Sequence, residues 1–267
     1  MKPTDSTPCA LVTGASAGIG AAMAQAYAAR GWRVVLVGRR AAALDATALA
    51  CARAHGTSVP DPARLHIIVC DLRDVTAWRE HVSVLIRVWG CPDIVVANAG
   101  ISHGIDLAHA DDLDAARDVM DTNWLAALAT LSPFIAPMRA RASGRLVGVA
   151  SVAGVRGLPG HAAYCASKAA LIRSLESLRG ELRGSGVRVV TLSPGYVETA
   201  MTARNAFPMP FMLHPDAFAR RALPAIDRGR AYATIPWPMA LASKVLHVLP
   251  RWAFDAVFAG QARKPRR

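Results

Sequence analysis

The side chains best placed by type and spacing to do chemistry are Tyr164 and Lys168, in the string Tyr164-Cys165-Ala166-Ser167-Lys168. Residues four apart on a helix share a face, so the phenol and the ammonium would meet the same ligand. A free phenol titrates near pH ~10 and exchanges protons poorly at neutrality. A neighbouring ammonium favours phenolate, so the pairing is expected to bring the Tyr164 pKa down towards working pH. Ser151 closes a short apolar run upstream and can turn its hydroxyl to the same ligand. Asn123 interrupts a long apolar helical pattern, where a buried amide needs partners. Two readings of it stand: a holder of a relay water, or the cap of a local bend.

A second group of residues suits a dinucleotide. Thr13-Gly14-Ala15-Ser16-Ala17-Gly18-Ile19-Gly20 follows an apolar run and precedes a helical pattern. Glycines at 14, 18 and 20 let the backbone turn tightly and approach a pyrophosphate seated on a helix N-terminus. About 20 residues further on, where an NAD site carries an acid for the ribose 2′-hydroxyl, stands Gly38, followed by Arg39 and Arg40. Guanidinium holds a 2′-phosphate that a carboxylate would repel, so NADP(H) is expected over NAD(H). Arg39 is the stronger contact; Arg40 lies either beside it or in solvent. Asp71 is either a cap for the helix beginning near Asp74 or an acceptor for an adenine amino group.

These residues need a frame, and the sequence supplies one. Short runs rich in Val, Ile and Leu occupy 10–13, 33–37, 65–70, 93–97, 146–150 and 187–192. They lack polar alternation, as strands buried on both faces do. Helical patterns fill 19–30, 41–54, 75–89, 113–138 and 163–183. Strand–helix repetition predicts a doubly wound, three-layer α/β fold with a parallel sheet of Rossmann type. Ligands in such sheets sit at the carboxyl ends of the strands, which is where the candidate residues fall.

Composition narrows the function classes. With 267 residues, 53% hydrophobic and 19% charged, the chain is too apolar for disorder and suits one large domain spanning 1–267. No apolar stretch reads as a signal h-region or a membrane span. The net charge of +12 rests on 4 Lys and 27 Arg, scattered except for a run over 263–267. Scatter of this kind suits a solvated surface and a small anionic ligand better than nucleic acid. Cysteines at 9, 51, 70, 91 and 165 have no metal-ligand or disulfide spacing, which predicts no metal and a reducing cytoplasm.

Taken together, TGASAGIG at 13–20, ANAG at 97–100, Asn123, Ser151, YCASK at 164–168 and PGYVET at 194–199 resemble the short-chain dehydrogenase/reductase family, in its single-domain type. Ala97 stands where that family often has a second Asn. The resemblance implies carbonyl reduction or its reverse, with Tyr164 as acid, Lys168 on the nicotinamide ribose, Ser151 on the substrate oxygen and Asn123 on a relay water. It implies that Gly14, Ser16, Gly18, Ile19, Gly20 and Arg39, with Arg40, line the phosphate end, and that Asp71 and Leu72 meet adenine. Asn98, Ala99 and Gly100 would lie beside the adenosine, and Pro194, Gly195, Val197 and Thr199 near the carboxamide. A homodimer or homotetramer is implied as well, through the helices at 113–138 and 163–183.

Two segments set the remaining expectations. Residues from about 200 to 230, with Met201, Phe207, Met209, Phe211 and Met212, read either as a lid over a small apolar ketone, aldehyde or alcohol or as an ordinary packed loop plus helix. The extension at 237–267 is amphipathic: Leu241, Val245, Val248 and Leu249 fall on one side, Ser243, Lys244 and His247 on the other. It is expected to close a core or a subunit interface, with peripheral contact to an anionic membrane as the alternative. Competing functions are therefore a membrane-associated reductase of lipid-derived carbonyls, and an NADP(H)-binding sensor or scaffold that catalyses little.

Overall fold

The computed structural model describes residues 7–203, 205, 207–260 and 266. Seven strands form one parallel sheet: β1 (Cys9–Thr13), β2 (Arg33–Gly38), β3 (Leu65–Val69), β4 (Ile94–Ala97), β5 (Gly144–Val149), β6 (Val187–Pro194) and β7 (Tyr232–Ile235). Their order across the sheet is 3-2-1-4-5-6-7. The chain winds outward in one direction from β1 and in the other from β4, so a crevice opens between these two strand ends.

Both sheet faces are buried, which is why the strands read as unbroken apolar runs. One core packs Val12, Leu36 and Val190 against α1 (Gly18–Ala28), α2 (Ala41–Ala54) and α7 (Pro215–Asp227). The other packs Leu11, Val35 and Val95 against α3 (Val75–Trp89), α5 (Ala126–Ala140) and α6 (Ala162–Glu181). In the latter, fully buried Trp78 donates its Nε1 hydrogen to the Ala129 carbonyl at 2.9 Å.

Three expectations need correction. The helix expected over 113–138 divides into α4 (Asp112–Met120), a π-helical turn (Asp121–Leu125) and α5. One extra residue per turn there rotates Asn123 inward. The lid stretch ends before α7, because Phe218 and Ile226 of that helix are buried in the first core. Finally, α8 (Trp237–Val248) and α9 (Arg251–Phe258) turn most of their apolar side chains outward, burying only Met239 and Phe254. Residues 261–265 and 267 of the basic run lie outside the described residues. Arg266 is described: its guanidinium donates twice to Asp112 Oδ1 and once to Oδ2, at 2.9–3.2 Å.

One hydroxyl ties the two sides of the crevice together. Thr13 Oγ1 at the end of β1 donates to the Val96 carbonyl at 3.2 Å and accepts the amides of Asn98 and Ala99 at 3.0 and 3.2 Å. Thr13→Val would leave two amides beside an apolar methyl. It is expected to lower the free energy of unfolding by about 1–3 kcal/mol in urea titrations, with Thr13→Ser restoring most of it.

Candidate active site

A cavity of about 380 Å³ runs along the carboxyl edge of the sheet from the glycine turn after β1 to the turn after β6. Its walls include every residue expected at a ligand except Gly20 and Asn123. Ser16, Gly18, Ile19, Arg39 and Arg40 sit at one end, and Ser151, Tyr164 and Lys168 at the other. Asp71, Leu72 and the Asn98–Gly100 turn lie along the floor and side, with Pro194, Gly195, Val197 and Thr199 opposite.

The first end is built for an anion. Helix α1 begins after Ala17, whose side chain offers no cap, and its first turn carries no acid. Its free amides therefore face the cavity with their positive partial charge unanswered. Gly14 has φ +64°, and a Cβ there would come within 2.9 Å of both Ala99 Cα and Asn98 Nδ2. Only glycine allows the β1 and β4 turns to approach this closely. Gly20 serves packing instead of ligand contact: a Cβ would stand 2.3 Å from the Gly14 carbonyl oxygen, beneath the turn. Arg40 reaches back from the start of α2 and donates to Ser16 Oγ at 3.1 Å, so it belongs to the cavity mouth.

Asp71 is not the cap of α3. That position is Asp74, which accepts the Ala77 amide at 3.0 Å. Asp71 accepts instead from Arg73, at 2.7 Å from Nη2, and lies 3.7 Å from Arg39. Hydrogen bonds from Arg73 hold its carboxyl below the usual range. Arg73 lines the cavity and was missed in the sequence, where nothing distinguishes it from the other scattered arginines.

At the other end, α6 presents Tyr164 and Lys168 on one face. Lys168 is buried and donates to the Val149 carbonyl at 2.9 Å, with its Nζ 5.8 Å from the Tyr164 ring centre. Burial brings the ammonium down to about 8. The Tyr164 phenol is displaced opposite to the expectation: burial raises its pKa, and a hydrogen bond with Ser151 offsets only part of that rise. Desolvation of the phenolate is the larger effect, because burial removes the water that would stabilise its charge. The result is a phenol that keeps its proton at neutral pH.

Asn123 sits in the π turn with its side chain fully engaged. Its Oδ1 accepts the Ile101 amide at 2.8 Å, while Nδ2 donates to the Ile101 carbonyl at 2.9 Å and to Ser167 Oγ at 3.0 Å. Its side chain therefore ties the π turn to the loop after β4 and to α6, directly behind Lys168. Ser167, hidden in the YCASK string, is the partner that sequence reasoning passed over.

The lid residues divide between two places. Met201 lines the cavity, and Phe207 stacks edge-on to His161 with ring centres 5.8 Å apart and lies 6.3 Å from Tyr196. Phe211 and Met212 face away, into a separate groove against Trp237.

With this geometry in view, comparison with known proteins is specific. The family model for short chain dehydrogenase matches residues 8–207. An uncharacterized oxidoreductase of Myxococcus xanthus is 43% identical over 92% of this chain and 94% of its own length. A second, from Mycobacterium tuberculosis, is 37% identical over 90% and 93%. Among solved structures, an actinorhodin polyketide ketoreductase with NADPH is 28% identical, with a TM-score of 0.76 over 88% of this chain and 97% of its own. Levodione reductase shares the fold at a TM-score of 0.77 and 21% identity, over 87% of this chain and 98% of its own.

Lys168 sets a pH dependence. Below about 8 it is charged and attracts an anionic ligand; above, the attraction fades. Affinity for a reduced nicotinamide cofactor, measured by fluorescence titration, is therefore expected to weaken about ten-fold as pH rises from neutrality to well above that value, while Lys168→Met binds weakly and nearly independently of pH.

Proposed function

The chain belongs to the short-chain dehydrogenase family, oxidoreductases that move hydride between a nicotinamide cofactor and a CH–OH or C=O carbon; from that premise we propose an NADP(H)-dependent reductase of apolar carbonyl compounds with Tyr164 as proton donor. The observation that carries this reading is the convergence of Ser151, Tyr164 and buried Lys168 on one end of the cavity, with the Tyr164 phenol hydrogen-bonded to Ser151. Reduction of a carbonyl leaves negative charge on its oxygen, and a neutral phenol in a desolvated wall is the group able to quench it.

When bound, NADPH supplies the hydride; the rest falls to the protein. Ser151 hydrogen-bonds the substrate oxygen and holds it within reach of the Tyr164 proton. As the phenol gives up that proton, the Lys168 ammonium balances the phenolate left behind, and it would donate a hydrogen bond to a hydroxyl of the cofactor ribose. Asn123 and Ser167 act through position, keeping the loop after β4 and helix α6 in register so that Lys168 cannot swing away.

NADP(H) over NAD(H) is supported by Arg39 and Arg40 at the mouth beyond Gly38, with no acid at the end of β2. The similar ketoreductase structure was solved with NADPH. An apolar substrate is supported by Ile101, Met201 and the Phe207–His161 contact beside the catalytic end. We assign the protein to the reducing cytoplasm, which the free cysteines at 9, 51, 70, 91 and 165 suit. We also propose a homo-oligomer through the helices at 113–138 and 163–183, where Leu113 and Leu125 are exposed.

Tyr164→Phe is expected to lower kcat by about 10²–10⁴ for every accepted ketone or aldehyde while leaving NADPH binding in place. Unchanged turnover would remove Tyr164 as the acid. Arg39→Ala is expected to weaken NADPH by about ten-fold or more and NADH little, measured by paired titrations. An unchanged ratio would return the cofactor preference to NAD(H).

A further inference from the structure

The outer face of the last two helices has no role in the fold or the site. On α8, Trp237, Leu241, Val245 and Val248 recur at helical spacing and stand in solvent, Trp237 with 76% of its surface exposed. Lys244 falls between Leu241 and Val248 on this same exposed stripe, not opposite it. Trp252, also 76% exposed, and Val257 continue the apolar surface on α9, beside Arg251. The groove formed by Phe211, Met212, Trp237 and Arg221 extends it across α7.

The inner side of these helices is fixed, so the outer side is not merely loose packing. Phe254 is buried and stacks on Phe258 with ring centres 4.5 Å apart. The Arg156 guanidinium lies 4.3 Å above the Phe254 ring, and its Nη1 donates to the Leu246 and Leu249 carbonyls at 3.0 and 2.9 Å. A fixed pair of helices thus presents two tryptophans and a row of aliphatics to whatever lies outside.

Charge selects the occupant. On α8 and α9 Lys244 and Arg251 stand exposed against one acid, Asp255, and Arg221 adds a further cation at the adjoining groove. Pairing this face with a second copy about a two-fold axis would bring like charges together. An anionic surface has the complementary sign. Exposed Trp amid aliphatic and basic residues is also the composition of a helix face lying at a lipid–water boundary. Among the described residues no helix is long and apolar enough to cross a bilayer, so contact would be peripheral. We propose that this face, centred on Trp237, Lys244, Arg251 and Trp252, docks the protein on the surface of an anionic phospholipid bilayer. The docking stands apart from the hydride-transfer reading and needs no turnover to be measured.

The test is co-sedimentation of the full chain with vesicles of phosphatidylcholine alone and of phosphatidylcholine mixed with phosphatidylglycerol. Wild type is expected to pellet with the anionic vesicles, to be released by salt, and to stay largely in solution with the neutral ones. Lys244→Ala with Arg251→Ala should reduce partitioning on the order of 30-fold at low salt. Trp237→Ser with Trp252→Ser should abolish pelleting, with the melting temperature unchanged in both variants. If the tryptophan pair compromises folding, the charge pair and the salt dependence of wild type decide. The proposal is overturned by wild type that ignores anionic vesicles, or by pelleting indifferent to either pair of substitutions. It is equally overturned by a solution dimer that the tryptophan substitutions dissolve, since the face would then belong to a second copy.

Discussion

Everything in the site hangs on how closely the ends of β1 and β4 approach. These neighbours in the sheet lead into helices on opposite faces, so their turns diverge and leave a crevice. Thr13 sets the width by binding the far turn with its hydroxyl, and Asn98 answers by donating to the Thr13 carbonyl at 2.9 Å. The side chain missing at Gly14 is the other half of the same constraint. A wider gap would separate the anion-binding end of α1 from the floor of the cavity.

The catalytic end obeys a different balance, between burial and charge. Lys168 is deep enough to lose part of its hold on a proton, and Tyr164 keeps its own because phenolate would be desolvated. Reading the pair from spacing alone favours the ammonium, since sequence shows that two groups are near without showing how much water either retains. Depth is contributed by the sheet behind them: the Lys168 partner is the carbonyl of Val149, at the end of a central strand.

That contrast explains what was legible. The β-strands were plain because a parallel sheet buries both faces, and the glycine turn because close backbone approach forbids any other residue at Gly14. The π turn left no mark, since one extra residue within a helix changes no residue type. Arg73 looked like any other arginine until Asp71 turned towards it. For the stripe of α8 a core, a subunit interface and a membrane surface all stayed open, because amphipathic spacing says which residues share a side, but not what that side meets. Lys244 was placed opposite for the same reason: polarity was taken to mark the outer face, whereas both kinds of residue lie there together.

The Asp112–Arg266 clasp carries a consequence for synthesis. Asp112 opens the helix that leads to Asn123, and its carboxylate is nearly buried, also accepting the Asp106 amide at 2.7 Å. Its guanidinium partner is 154 residues away in sequence. While the chain emerges from the ribosome, the β4 loop can pair with its own amides but not with this arginine. The strands β1 to β5 can therefore pair well before the loop beside the catalytic end acquires this ionic tie.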